Sequence, residues 1–148
     1  MTRFEPRDPD WENRVRGSFA RQEFMEYLGV EIGHLSPGET DLVLPYRQVL
    51  MQQHDYFHGG ATATIADSAA GYAALSLFPA GIGVLTAEFK INLLNPAIGD
   101  RLVARGRVVK PGRTLTVSRS DVYALNNNAE THIATALVTL MSIESLDD

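Results

Sequence analysis

The run from His58 to Phe78 consists mainly of alanine and a few long apolar residues, and Asp67 is the only charged side chain between His58 and Glu88. Such a composition favours helix. Gly59 and Gly60 open the run, and Pro79 and Gly81 stop it, since proline cannot continue the hydrogen-bond ladder. A helix that is apolar nearly all round belongs in a protein core. A carboxylate placed there is costly unless it is paired, hydrogen-bonded or protonated. Ala63, Ala66, Ala70, Gly71 and Ala74 fall on or beside the Asp67 face at i±3, i±4 and i±7. These small residues leave room for another helix or a ligand, while Ile65, Tyr72 and Leu75 carry the bulk elsewhere. A solvated aspartate, or one tied to a distant arginine, is the plain alternative. The apolar surroundings and the glycine pair favour a functional carboxylate.

At 148 residues the chain suits one domain with a sizeable core. Residues 1–17 are expected to form an arm and a short helix, and residues 18–148 a single domain. No apolar run reaches the length of a membrane span. The stretch Met1–Asp8 is charged and has no signal-like apolar core, so a cytoplasmic location is expected. There is no cysteine, hence no disulfide, thiolate nucleophile or sulfur ligand for zinc. A net charge of −5 weighs against nucleic acid as a partner.

Met1–Arg7 reads as a loose arm. Asp8-Pro9 offers a helix cap and first turn, with Trp11, Val15 and Phe19 following at helical spacing. Gly17-Ser18 is expected to break or kink this segment. Ala20, Phe24 and Leu28 continue to a stop at Gly29. Two strands follow, around Val30–Ile32 and Thr40–Leu44, with Pro37-Gly38 turning between them. Tyr46–Phe57 is irregular and polar. After Gly83 the alternation is the cleanest in the chain. It places Leu85, Ala87, Phe89, Ile91 and Leu93 on one face, and Thr86, Glu88, Lys90 and Asn92 on the other. Turns at Pro96–Gly99, Pro111-Gly112 and Asn126–Asn128 separate three further strands, and Ser145–Asp148 is a polar tail. The pattern predicts an α+β fold, an antiparallel sheet with the helix packed on one face.

This order resembles the hotdog fold, and more narrowly the phenylacetate-degradation type of acyl-CoA thioesterase. The resemblance is carried by Phe19–Gly29, by Gln53-His-Asp-Tyr-Phe-His-Gly-Gly60 running into Ile65-Ala-Asp67, by Glu88–Asn92 leading to Pro96, and by Pro111-Gly-Arg-Thr114. It implies a sheet wrapped around the long helix, hydrolysis driven by Asp67, and a thioester carbonyl polarised by the Gly59 N–H. It also carries catalytic polar roles onto Gln52 and Thr86. Gln52 stands where asparagine is usual and Asp55 where glycine is usual, which bears on substrate preference. The implied assembly is a homodimer with shared sites and, beyond it, a dimer of dimers.

A thioester needs only an attacking oxygen and donors for the developing oxyanion, because thiolate leaves readily. A helix start supplies unpaired N–H groups and a positive dipole end, and glycine lets a substrate come close. Asp67 is either a general base or a nucleophile. Gly59 and Asp67 are eight residues apart, so about 12 Å along a helix, too far to meet on one carbonyl. Two antiparallel helices from two chains could bring them together. His58, Gly60, Lys90 and Arg113 are candidate substrate contacts, with Arg105 a further cation for the CoA phosphates. Phe24, Tyr27 and Leu28 are candidates for the acyl pocket. No cofactor or metal is expected. His54 and His58 echo a zinc-helix spacing, but no third ligand is evident and glycines follow. A non-catalytic acyl-CoA binder and a dehydratase using His58 are the remaining alternatives.

Overall fold

Residues 4–146 are described by the computed structural model. The alanine-rich run forms a 17-residue helix, α3 (Gly59–Leu75), preceded by α1 (Trp11–Ala20) and α2 (Glu23–Leu28). The strands are β1 (Glu31–Ser36), β2 (Glu39–Pro45), β3 (Ile82–Leu93), β4 (Arg101–Lys110), β5 (Leu115–Asn126) and β6 (Ala129–Glu144). They form one antiparallel sheet in the order β1-β2-β4-β5-β6-β3. The chain crosses from β2 to the far edge through α3, passes back from β3 to β4 beside β2, and then runs outward through the β4–β5 and β5–β6 hairpins until β6 pairs with β3. The inner face holds the core, with Leu42, Leu44, Leu102, Ala104, Val122, Val138 and Leu140 packed against Ile65, Ala66, Ala69, Ala70 and Ala73. Helix and sheet come closest at Gly106, where a Cβ would lie 2.3 Å from the Ala69 carbonyl oxygen. Only glycine fits there.

Several details differ from the sequence reading. Phe4 packs against the core and lies against the Pro37-Gly38 turn, so the arm is anchored from its first described residue; residues 1–3, and residues 147 and 148 of the tail, lie outside the described residues. Helix α1 is capped at Asp10 rather than Asp8. Asp8 is instead buried, and its carboxylate sits 3.2 Å from the Arg14 guanidinium. Arg14 donates to the carbonyls of Leu75, Phe78 and Pro79, closing the C-terminal end of α3. Gly17-Ser18 does not break α1, because Ser18 is buried beside the Tyr72 hydroxyl; the break falls at Arg21-Gln22. Residues 17 and 18 thus lie inside one helix.

α3 is not enclosed on all sides. Ala66, Ala70 and Ala74 face the sheet with no exposure, whereas Ala63, Asp67 and Gly71 lie on a half-open strip with Thr64 and Ser68. β3 differs most. It is an edge strand, and every residue from Leu85 to Lys90 is exposed in the single chain. Thr86 pairs with Leu140 and Glu88 with Thr139, so Ala87 is an extra, bulged residue. A bulge reverses the alternation beyond it. Thr86 therefore shares the helix-facing side with Phe89, Ile91 and Leu93, against the strict two-residue period.

Candidate active site

Asp67 lies midway along α3, half-buried, and accepts a 2.7 Å hydrogen bond from the Thr86 hydroxyl. Burial pushes its carboxyl above the ordinary carboxylate range, and the Thr86 bond opposes part of that rise. The bulge at Ala87 is what lets Thr86 share the helix-facing side with Phe89, three residues on.

At the start of α3, His58 is the N-cap. Its Nδ1 accepts the Gly60 N–H at 2.8 Å, which places the proton of a neutral ring on Nε2. The N–H of Gly60, read as a possible substrate contact, is therefore engaged within the cap. The Gly59 N–H has no hydrogen-bond partner among the described residues and stands at the positive end of the helix. A Cβ on Gly59 would sit 3.1 Å from Leu93 Cδ1, so glycine keeps this approach open.

Gly59 and Asp67 open onto different cavities. Gly59 borders one of about 410 Å³, together with Gln52, Tyr56, Thr62, Leu93 and Pro96. Asp67 borders a groove of about 390 Å³ with Gln22, Phe24, Thr64, Ser68 and Phe89, and a smaller polar recess behind it. Gln52 is thus grouped with Gly59 and not with Asp67; its Oε1 accepts the His54 N–H, which braces the loop. His58 and Gly60 line a third groove with Phe24, Leu28 and Val49. Phe24 and Tyr27 are largely exposed, whereas Leu28 is buried.

The cations are placed elsewhere. Lys90 pairs across the strands with Leu137 and donates to Asn92. Arg113 stands in the β4–β5 turn, its carbonyl accepting from Ser142. Arg105 is committed, since it forks onto Glu130 and stacks over Tyr123 at 4.5 Å. Among the described residues no group of three His, Cys, Asp or Glu side chains could hold a metal ion. Gln22, Ser68 and Phe89 were missed beside Asp67. Ser68 was readable as its neighbour, but Phe89 needed the bulge and Gln22 needed the docking of α2.

The architecture, a six-stranded antiparallel sheet over one long helix bearing a half-buried carboxylate, defines the hotdog class. Residues 54–130 match the model of the Thioesterase superfamily. A Halobacterium salinarum protein with a provisional esterase name is 33% identical over 111 residues, covering 72% of this chain and 73% of its own. The crystal structure of a thioesterase family protein from Silicibacter pomeroyi is 49% identical with a TM-score of 0.89, covering 90% of this chain and 98% of that one. The E. coli PaaI protein of the phenylacetic acid degradation operon shares the fold at a TM-score of 0.82 and 20% identity, over 94% and 97% of the two chains. This chain belongs to the Thioesterase superfamily. It is a hotdog-fold enzyme that hydrolyses thioesters.

Proposed function

We propose that the enzyme hydrolyses acyl- or aryl-CoA thioesters to the free acid and CoA, at two sites shared by a homodimer. The observation that carries this reading is the separation of Gly59 and Asp67. An unpartnered N–H and a desolvated carboxylate sit eight residues apart on one helix and face different cavities. At about 1.5 Å per residue they cannot act on the same carbonyl within one chain. The half-open strip Ala63–Thr64–Asp67–Ser68–Gly71 and the long exposed edge of β3 support an antiparallel second copy. Such a copy would bring each Gly59 to the other chain's Asp67. The exposed Leu85, Leu115 and Leu137 support further pairing as a dimer of dimers.

In this reading the partner's Gly59 N–H stabilises the oxyanion, Asp67 activates water or attacks directly, and CoA leaves as the thiolate. Thr86 orients Asp67, and Gln52 and His58 hold the oxyanion loop. Lys90 and Arg113 are candidate contacts for the CoA phosphates; among the described residues neither pairs with a carboxylate. Neither metal nor cofactor is required, and a cytoplasmic site of action suits such a substrate. No helix among the described residues is long and apolar enough to cross a membrane.

The test combines thiol release over a panel of acyl-CoAs with mixed dimers of Asp67→Ala and Gly59→Val. Each homodimer should be nearly inactive. Co-refolding should restore about a quarter of wild-type activity, since about half the dimers are mixed and each keeps one good site. Mixed dimers that form without regaining activity would place the donor on the same chain as Asp67. Tight CoA-ester binding without thiol release would identify a binding protein.

A further inference from the structure

Behind Asp67 lies a recess of about 110 Å³, bordered by Ser18, Gln22, Ser68, Tyr72 and Thr86. It has room for about three or four waters at roughly 30 Å³ each and is too small for an acyl chain. Its walls offer three hydroxyls besides that of Thr86, a carboxamide and the carboxylate, and a held water needs two to four such partners. The larger groove on the other side shares only Gln22, Asp67 and Ser68 with the recess. These three residues therefore stand on the border between a polar recess and an open groove that also carries Phe24, Met25 and Phe89.

Gln22 is suited to that border. Its backbone carbonyl accepts the Glu26 N–H as α2 begins, but its side chain caps nothing. Among the described residues its carboxamide forms no hydrogen bond. Asp67 Oδ1 already accepts from Thr86, so Oδ2 is the oxygen left for a new partner. Among the described residues Asp67 is the only charged side chain bordering either cavity, and Tyr72 is the other titratable one.

We infer that this recess stores the hydrolytic water, and that Gln22 and Ser68 position one water molecule against Asp67 Oδ2. The inference rests on the thioesterase reading above and assigns Asp67 the role of general base. The water oxygen attacks the thioester carbonyl carbon while its proton passes to Oδ2. The C–S bond then breaks, CoA leaves as the thiolate, and the carboxyl proton is returned to that sulfur. Gln22 is a positioning residue in this scheme, since it acts on water and carboxylate rather than on the substrate.

Three variants test the assignment. Gln22→Leu keeps the bulk and removes the amide; kcat should fall about tenfold to a hundredfold, the loss of one well-placed hydrogen bond. Affinity for a non-hydrolysable CoA thioether should stay within about twofold, because leucine keeps the wall that Gln22 gives the larger groove. Gly71→Leu fills the recess from within the helix, at a position where a Cβ meets nothing closer than Leu140 at 3.8 Å. It should lower kcat in the same selective way. Gln22→Glu sets a second carboxylate against Asp67, so the acid limb of the kcat profile should move to higher pH. Wild-type kcat in Gln22→Leu, or an unmoved acid limb in Gln22→Glu, would overturn the inference while leaving the thioesterase reading standing. A wild-type enzyme inactive on every CoA thioester would remove the reading itself and this inference with it. If Gly71→Leu fails to fold, the two Gln22 variants decide.

Discussion

A carboxylate half-removed from water beside a single hydroxyl can have its titration moved in a chosen direction. Burial raises the Asp67 carboxyl above its ordinary 3.8, and the Thr86 bond lowers it. Thr86→Val should therefore raise it further and shift the acid limb of kcat/KM to higher pH, whereas Thr86→Ser should leave the limb near its wild-type place. A pH–rate series on both variants checks this. Between 3.8 and the raised value the folded state holds the proton more firmly than the unfolded chain does. Ionising Asp67 thus costs stability as pH rises through that window, and the cost persists at neutral pH. Asp67→Asn should raise the thermal midpoint at pH 7 while kcat falls by about 10²–10⁴. Calorimetry and thiol release on one preparation would show both effects, and a lowered midpoint would contradict the burial cost.

Among the elements, β3 concentrates the consequences of one extra residue. Deleting Ala87 removes the extra residue and leaves the pairs Thr86–Leu140 and Glu88–Thr139 adjacent, so Thr86, Phe89, Ile91 and Leu93 should stay on the helix-facing side at a strict two-residue period. The Thr86–Asp67 bond should survive the deletion and the acid limb should stay near its wild-type place, unlike in Thr86→Val, which a pH–rate series on the deletion variant would show. The N-terminal elements allow a separate test at the Asp8–Arg14 pair, whose side chains are 7% and 10% exposed. Arg14→Met should cost about 3–5 kcal/mol in a denaturant titration, because it strands the Asp8 carboxylate and three carbonyls. Adding Asp8→Asn should recover part of that loss. Much of this fold was legible in the sequence: the alanine run, Gly29 as a left-handed helix stop, the hairpin turns and the isolated aspartate each have a local chemical signature. Gly17 and Pro9 misled, because tertiary contacts around Ser18 and Asp8 outweighed local preference. The bulge was hidden for another reason. Leu85–Leu93 alternates without a break, so nothing in the pattern marks Ala87 as extra, and only pairing with β6 shows where the phase changes.

At the level of the whole molecule, a chain that keeps its donor and its carboxylate on one helix should be inactive alone. Specific activity should fall on dilution in step with dissociation measured by sedimentation; full activity in a demonstrated monomer would refute the shared site. Arg14 also has a bearing on how the chain is made. Its bond to Pro79 spans 65 residues, so α1 has no helix end to grip until Pro79 has left the ribosome. At about 5–20 residues per second that interval is on the order of 3–13 s. The first helix synthesised therefore docks late, and a nascent chain halted before Pro79 should show α1 open to proteases.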